Sequence, residues 1–534
     1  MSGSENGTQL EQLLDGAQNG KLTRRQFTQA AVATGLTVAG ASSLWSTSVQ
    51  AATPKQGGTF RVGLHDANTG DTLDPALVNS EFTSEMNFAI RNNLTELPPD
   101  GSVIGELASG WDASADASSW TFHLRDGIQF HNGKSLTAND VVASLNYHRS
   151  KDSKSGGKAL LDGVTDIKAD GNNVVISLGS GNADLPYTLA DSHFSVCPSD
   201  GEGKIDVSGV GTGAYVVESF NPGVEATLTK NKNYWKKGRG HFDGVHFVGL
   251  PDSTARQSAI VTGQVDAISD VDLKTAGLLD KNVNVIVDSV ASGAHATLPM
   301  FMNTAPFNNN DVRLALKNAI NRKSVLKLAM RGYGTIGNDQ PIGPTMPYYS
   351  EIEQRHYDPD KARFHLKKAG MDSLNVDLSA ADAAFGGAVD VAILYAEEAR
   401  AAGINIKVVR EPNDGYWSNV WMKKPFSVST WSARPTPDVM FTIAYKTGAE
   451  WNESFFSNAR FDKLLAEGKG ELDNAKRKEL YREMMIILRD EGSTVIPFFR
   501  NRVSARRSNV MHEKEINGDK PLDGNRAAER WWFA

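Results

Sequence analysis

Between Trp120 and Leu145 the hydrophobic pattern switches from a period of two to a helical one, and this switch constrains the fold more than any other stretch. Trp120-Thr121-Phe122-His123-Leu124 alternates as a half-buried strand does, and Asp126-Gly127 supplies a turn before Ile128-Gln129-Phe130. A hairpin is predicted there. Thr137 follows as an N-cap with Asp140 three residues on, so a helix is expected from Ala138. Thr59–Leu64 also alternates, and Gly213–Val217 with Ala226–Lys230 flank the turn Asn221-Pro222-Gly223. Arg313–Arg322 and Leu480–Leu488 read as helices, the second with Leu480, Met484, Ile487 and Leu488 on one face. Strands interspersed with helices give an α/β class.

The chain has 534 residues. Single cores stop growing near about 250–300 residues, so several domains are expected. A net charge of −7 without a long basic run excludes a phosphate-tracking surface, and nucleic acid is not an expected partner. One cysteine, Cys197, excludes an internal disulfide framework or a multi-thiolate metal site. After the first 50 residues no stretch approaches the roughly 20 apolar residues a membrane-spanning helix needs. The N-terminus reads as an export signal: Thr23-Arg24-Arg25-Gln26-Phe27, an Ala/Gly/Thr-rich run from Ala30 to Leu44, then Val49-Gln50-Ala51 as a small-x-small cleavage site. The paired arginines resemble the twin-arginine type. Cleavage of residues 1–51 and a periplasmic location are expected.

Signatures of catalysis are missing from the sequence: it contains no G-x-S-x-G, H-E-x-x-H, C-x-x-C or Walker lysine motif. Gly332–Gly337 is a literal G-x-G-x-x-G, yet it follows a helical pattern and runs toward Pro341, whereas a dinucleotide site needs a strand before and a helix after. Neither a catalytic residue, a metal ligand set nor a cofactor is assigned.

The run from Trp120 to Val142, followed in order by Gly211–Tyr215, Asn231–Trp235, Asp311–Leu316 with Ala319–Arg322, and Tyr357–Ala362 with Lys368–Gly370, resembles the peptide/nickel-type extracellular solute-binding proteins of ABC importers. The resemblance covers essentially the whole chain after the signal. It implies a two-lobed periplasmic-binding-protein fold with an extra domain: lobe one at 55–96, 206–300 and 496–534, the extra domain at 97–205, and lobe two at 301–495. It also implies a small-molecule or short-peptide ligand held between the lobes, and ABC permease subunits in the inner membrane as partners. A monomer is expected.

In peptide-binding members a tryptophan and two small residues precede an acid that pairs with the ligand ammonium. Here Trp431-Ser432-Ala433 leads to Arg434, and the next acid is Asp438. A guanidinium repels an ammonium but suits a carboxylate or phosphate bidentately. Two readings stand. Either Arg434 anchors an anionic or zwitterionic amino-acid derivative or opine-like conjugate, or Asp438 takes over the ammonium. Tyr416, Trp417, Trp431 and Trp451 are candidate cleft walls. Glu81 falls where the resemblance places ligand contacts, and could meet a cationic end. Other functions remain open: a twin-arginine-exported cofactor enzyme, or a periplasmic sensor or chaperone using the same cleft.

Overall fold

A computed structural model of the protein describes residue 13, the helix Arg24–Ala33 and residues 54–534. The proposed cleavage site and most of the apolar run before it lie outside the described residues. Among those described, no helix is long and apolar enough to cross a membrane.

Three sheets organise the molecule. The first has seven strands in the order Val285–Val290, Arg502–Arg507, Ala267–Ile268, Thr59–Leu64, Gly244–Gly249, Glu225–Lys230 and Tyr215–Asn221. Thr59–Leu64 is central and pairs in parallel with both neighbours. Phe60, Val62 and Leu64 are fully buried from this strand, as its alternation anticipates. The second sheet runs Gly334–Ile336, Phe498–Arg500, His295–Pro299 and Ser429–Trp431, with Thr494–Val495 also on His295–Pro299. Beside it a parallel pair, Leu374–Ala380 and Ile404–Arg410, packs under the helix Ala388–Ala399. The third is antiparallel: Ala108–Ala113, Ser119–Leu124, Asn173–Leu178 and Val164–Asp170. α/β architecture is observed throughout.

The strand at Trp120 forms, but its partners are Ala108–Ala113 and Asn173–Leu178 rather than Ile128–Phe130. That short segment makes only one bridge, Gln129 to Ser135, so the predicted hairpin is absent. The helix starts at Ala138 as its cap predicts, the Asp140 carboxylate accepting from Thr137 N–H (2.9 Å) and Oγ1 (2.7 Å). The helix read across Arg313–Arg322 is instead two, Asn310–Asn318 and Arg322–Leu328. Asn321 interrupts it by accepting Ser324 N–H at 3.1 Å and capping the second helix. Leu480–Leu488 lies inside the helix Asn474–Asp490, with Met484, Ile487 and Leu488 buried.

The chain passes from the first sheet to the second between Val290 and His295 and returns between Arg500 and Arg502. These crossings lie side by side, Arg500 N–H donating to Ala294 O at 2.7 Å.

Candidate functional site

The paired crossings fix what faces the space between the sheets. Gly293 N–H donates to Asp519 Oδ1 (3.1 Å), and a Cβ on Gly293 would come within 3.2 Å of Met346 and 3.4 Å of Ala433. The crossing, the C-terminal segment and the loop after Trp431 are thereby held together. His295 sits opposite Trp431 and Phe499 in the sheet, which aligns Trp431–Arg434 with Arg500.

Four cations converge here. Arg434 lies over the Trp431 ring, its guanidinium carbon 5.7 Å from the centroid, and among the described residues its side chain hydrogen-bonds only to Ala433 O, at 3.3 Å. Arg500 Nη2 donates to Thr430 Oγ1 at 2.9 Å, with the guanidinium 5.4 Å over Phe385. Arg502 enters from the first sheet, and Lys520 from the C-terminal segment. Among the described residues none of the four makes an ion pair, and the Nε atoms of Arg500 and Arg502 have no acceptor. Burial, together with Arg434 and Arg502 and against Asp191, pushes Lys520 below the ordinary lysine value. Burial likewise lowers Arg434 and, with Arg502, brings Arg500 to about 10. Lys520 nonetheless keeps an exposed surface, and Arg434, Arg500 and Arg502 are half-buried. Of the four, Arg500 and Arg502 line a cavity, and Arg434 and Lys520 are not among its lining residues.

Lys520 owes its place to an unusual turn. Leu522, Asp523, Gly524 and Asn525 all have positive φ, at 44°, 62°, 72° and 61°. Asp523 Oδ1 pins this left-handed run by accepting from Asn517 N–H (2.8 Å) and Arg530 Nη1 (2.9 Å). Three successive non-glycine strains of this kind, interrupted by one glycine, are held only where the surroundings over-determine them.

A cavity of about 510 Å³ is lined by His65, Asp270 and Arg502 at the first sheet, Arg500 at the second, Leu522 of the C-terminal turn, and Arg331, Asp382 and Asp390. His65 Nδ1 lies 2.8 Å from Glu81 Oε2. Glu81 is itself buried, and that burial raises its carboxyl despite the histidine, while the Glu81 bond raises His65. Glu81 therefore stands behind His65 and does not line the cavity directly.

The expected aromatic and acidic residues divide. Trp431 and Trp451 are neighbours, with rings 6.2 Å apart, and Trp431 Nε1 donates to buried Glu453 at 3.0 Å. They stand with Arg434. Trp417 is 45% exposed and connects to them only through Trp421, whose Nε1 donates to Glu453 at 2.6 Å. Tyr416 is a correction: it is buried in the core of the second sheet, and its hydroxyl donates to Val428 O at 2.7 Å. Asp438 is a second correction. It is buried in the first turn of the helix Pro437–Ala444 beside Asp184 and Arg477, and shares no partner with Arg434. Burial and Asp184 raise its carboxyl to about 7. Arg477 serves Asp184 instead, at 2.5 Å. Buried beside Asp184 and Arg477, it is not presented to a ligand ammonium at Arg434.

Arg500, Arg502 and Lys520 escaped the sequence reading. The only hint was two arginines flanking one asparagine in an otherwise apolar stretch, and nothing local tied Lys520 to them.

Residues 102–453 match the profile of the bacterial extracellular solute-binding proteins, family 5 Middle. The glutathione-binding protein GsiB of Pectobacterium atrosepticum is 27% identical over 438 residues, covering 78% of this chain and 84% of that one. GsiB of Salmonella typhimurium is 26% identical over 461 residues, covering 82% and 89%. Among solved structures, AgaA of A. tumefaciens R10 in complex with agropinic acid has a TM-score of 0.69 at 24% identity, covering 89% of this chain and 99% of that one. HbpA2 of Haemophilus parasuis has a TM-score of 0.77 at 19% identity, covering 88% and 99%.

Proposed function

The chain belongs to the bacterial extracellular solute-binding proteins of family 5, the solute-binding components of ABC importers, and from that premise we propose that it captures a small anionic or zwitterionic peptide-like solute with Arg434 as an anchor. The observation that carries this reading is a group of four neighbouring cations without an ion pair among the described residues, two of which, Arg500 and Arg502, line the cavity between the sheets. Arginine presents a planar fork that takes a carboxylate bidentately, and unpaired cations held ready for an anion need no rearrangement when it arrives. A ligand ammonium would lie toward Asp270, away from Arg434. Trp431 and Trp451 would wall the anchor. The GsiB relatives favour glutathione-like γ-glutamyl compounds as first candidates.

On this reading the lobes are the units built on the first and second sheets, with the unit of the third sheet as the extra domain. Ala291–Ala294 and Asn501 are the hinges about which they close on the solute. The closed form is delivered to the permease subunits. Export through a twin-arginine signal, a periplasmic location, a monomeric state and the lack of a chemical step on this chain belong to the same proposal.

A thermal-shift screen of residues 52–534 against peptides, amino-acid derivatives, opines, sugars, betaines and metal ions tests it. A ligand at about 100 times its dissociation constant stabilises the fold by roughly 2.7 kcal/mol. Hits among carboxylate-bearing solutes that vanish in Arg434→Ala are expected. Hits restricted to neutral sugars or metal ions would refute the proposal.

A further inference from the structure

The unit of the third sheet touches both of the others, and the two attachments differ in kind. To the first-sheet unit it is bonded at several separate points: Glu106 takes Arg526 (2.8 Å) and Lys236 (2.6 Å), Tyr147 Oη donates to Asp74 (2.8 Å), Thr95 Oγ1 donates to Pro186 O (2.7 Å) and Asn93 Nδ2 donates to Leu189 O (3.0 Å). To the second-sheet unit, the hydrogen bonds among the described residues all come from two adjacent residues. Ala183 N–H donates to Lys469 O at 2.8 Å, and the Asp184 carboxylate accepts from Arg477 Nη2 at 2.5 Å and from the Thr436 hydroxyl. Asp184 therefore reaches into the second unit while Pro186, two residues on, is held by the first.

Arg477 forms a socket that does not depend on Asp184. Its guanidinium lies over the rings of Tyr348 (4.7 Å) and Tyr481 (5.4 Å) and donates to both hydroxyls, at 2.8 and 2.9 Å, all within the second unit. The Asp184 and Arg477 side chains are each 2% exposed. A second carboxyl, Asp438, is buried beside them, and its Oδ2 has no hydrogen-bond partner. Burial, and after it Asp184, raise this carboxyl to about 7 against Lys469, Arg477 and the Thr442 hydroxyl. One arginine thus stands between two acids, one from each unit. A buried carboxyl with an unused oxygen is a cost to the fold until a partner becomes free for it.

We propose that Asp184 is a latch between the lobes: it occupies Arg477 in the arrangement seen here, withdraws when the lobes part, and leaves Arg477 to Asp438. This rests on the lobe and hinge assignment above and not on the nature of the solute. Opening about Ala291–Ala294 and Asn501 moves the second unit away from the first and third together, and the contact at Ala183 and Asp184 is the one that has to part. Breaking a buried ion pair from one side strands a charge. Asp438 supplies the replacement partner from within the second unit, which lowers the cost of opening and gives the joint two defined states.

Two readouts on the ligand-free protein test it. Hydrogen exchange at the Ala183 N–H, followed by mass spectrometry, reports parting of the joint. Nitroxide pairs report movement of the units: Lys168→Cys with Lys463→Cys spans the third and second, and Lys168→Cys with Lys281→Cys spans the third and first. All three lysines are exposed, and the native Cys197 is buried. Asp184→Asn should speed the exchange at least about tenfold and widen the spread of distances between 168 and 463. Arg477→Lys, which keeps the charge and loses the fork, is the milder variant and should speed the exchange about threefold. Asp438→Asn should act in the opposite direction, slowing the exchange and leaving the distances narrow, because the replacement partner is gone. The distance between 168 and 281 should stay the same in every variant. Faster exchange with unchanged distances between 168 and 463 would make the contact a local one and overturn the latch. Asp438→Asn acting in the same direction as Asp184→Asn would overturn the exchange of partners. A changing distance between 168 and 281 would show that the first and third units are not one body, which removes the lobe assignment itself.

Discussion

The C-terminal segment feeds two charge clusters only a few residues apart, and the protein treats them in opposite ways. In one, the Lys236 ammonium meets Glu96 (2.7 Å), Glu106 (2.6 Å) and Glu529 (2.8 Å). Arg526 pairs with Glu106 and Glu529, and Arg530 with Glu96 and Asp523. Although burial alone would raise Glu96, Lys236 and the arginines hold it well below the usual carboxylate range. In the other, Lys520 stands near Arg434 and Arg502, and Arg502 near Arg500, and none of the four makes an ion pair among the described residues. The first cluster ties the strand Thr95–Glu96 and Glu106 to the first sheet and the C-terminus; the second is the one proposed to meet a solute. An ion pair satisfied within the fold gives rigidity, whereas a cation left unsatisfied stores affinity for something outside it.

The comparison sharpens under mutation. Arg526→Met strands Glu106 and Glu529 in the interior, and breaking a buried network from one side costs about 3–5 kcal/mol. Chemical denaturation of the ligand-free protein should show that loss, and a loss below about 1 kcal/mol would mean the network is not the clamp described. Asp438→Asn probes an intermediate case, a carboxyl left over beside an already paired Asp184. Its folded-state value of about 7 lies above that of an unfolded aspartate, so the folded state holds the proton longer. Stability is then lost as pH rises from about 4 to about 7, and the full penalty is present above that. The asparagine variant should be more stable than the native chain by about 1–3 kcal/mol near pH 8, with the difference shrinking toward pH 4. A gain that does not change with pH would contradict the assignment.

What the sequence disclosed follows the range of the interactions. Thr59–Leu64, the Tyr215–Lys230 hairpin and the capped start at Ala138 are written in neighbouring residues, and each forms. The hairpin after Trp120 fails because that strand's partners come from Ala108–Ala113 and from Asn173–Leu178, about 50 residues further on. The helix through Arg313 breaks because Asn321 caps a second helix, a polar event that apolar periodicity does not register. In the site, Arg434 could be singled out because it replaces an expected acid within a motif. Arg500, Arg502 and Lys520 reach it through a strand crossing and a left-handed turn, which no local pattern encodes. Tyr416 and Asp438 were plausible by position alone, and burial decided against both.

The account turns on the cleft cations being held unpaired for an anion, and Arg434→Met measured in two thermal melts tests this most directly. Without ligand, the variant should melt at or above the native temperature, because one like charge leaves the cluster. With the best carboxylate ligand from the screen, it should lose most of the ligand-induced rise. A variant that melts well below the native protein without ligand, yet keeps the full rise with it, would show that Arg434 is a structural residue and contradict the account.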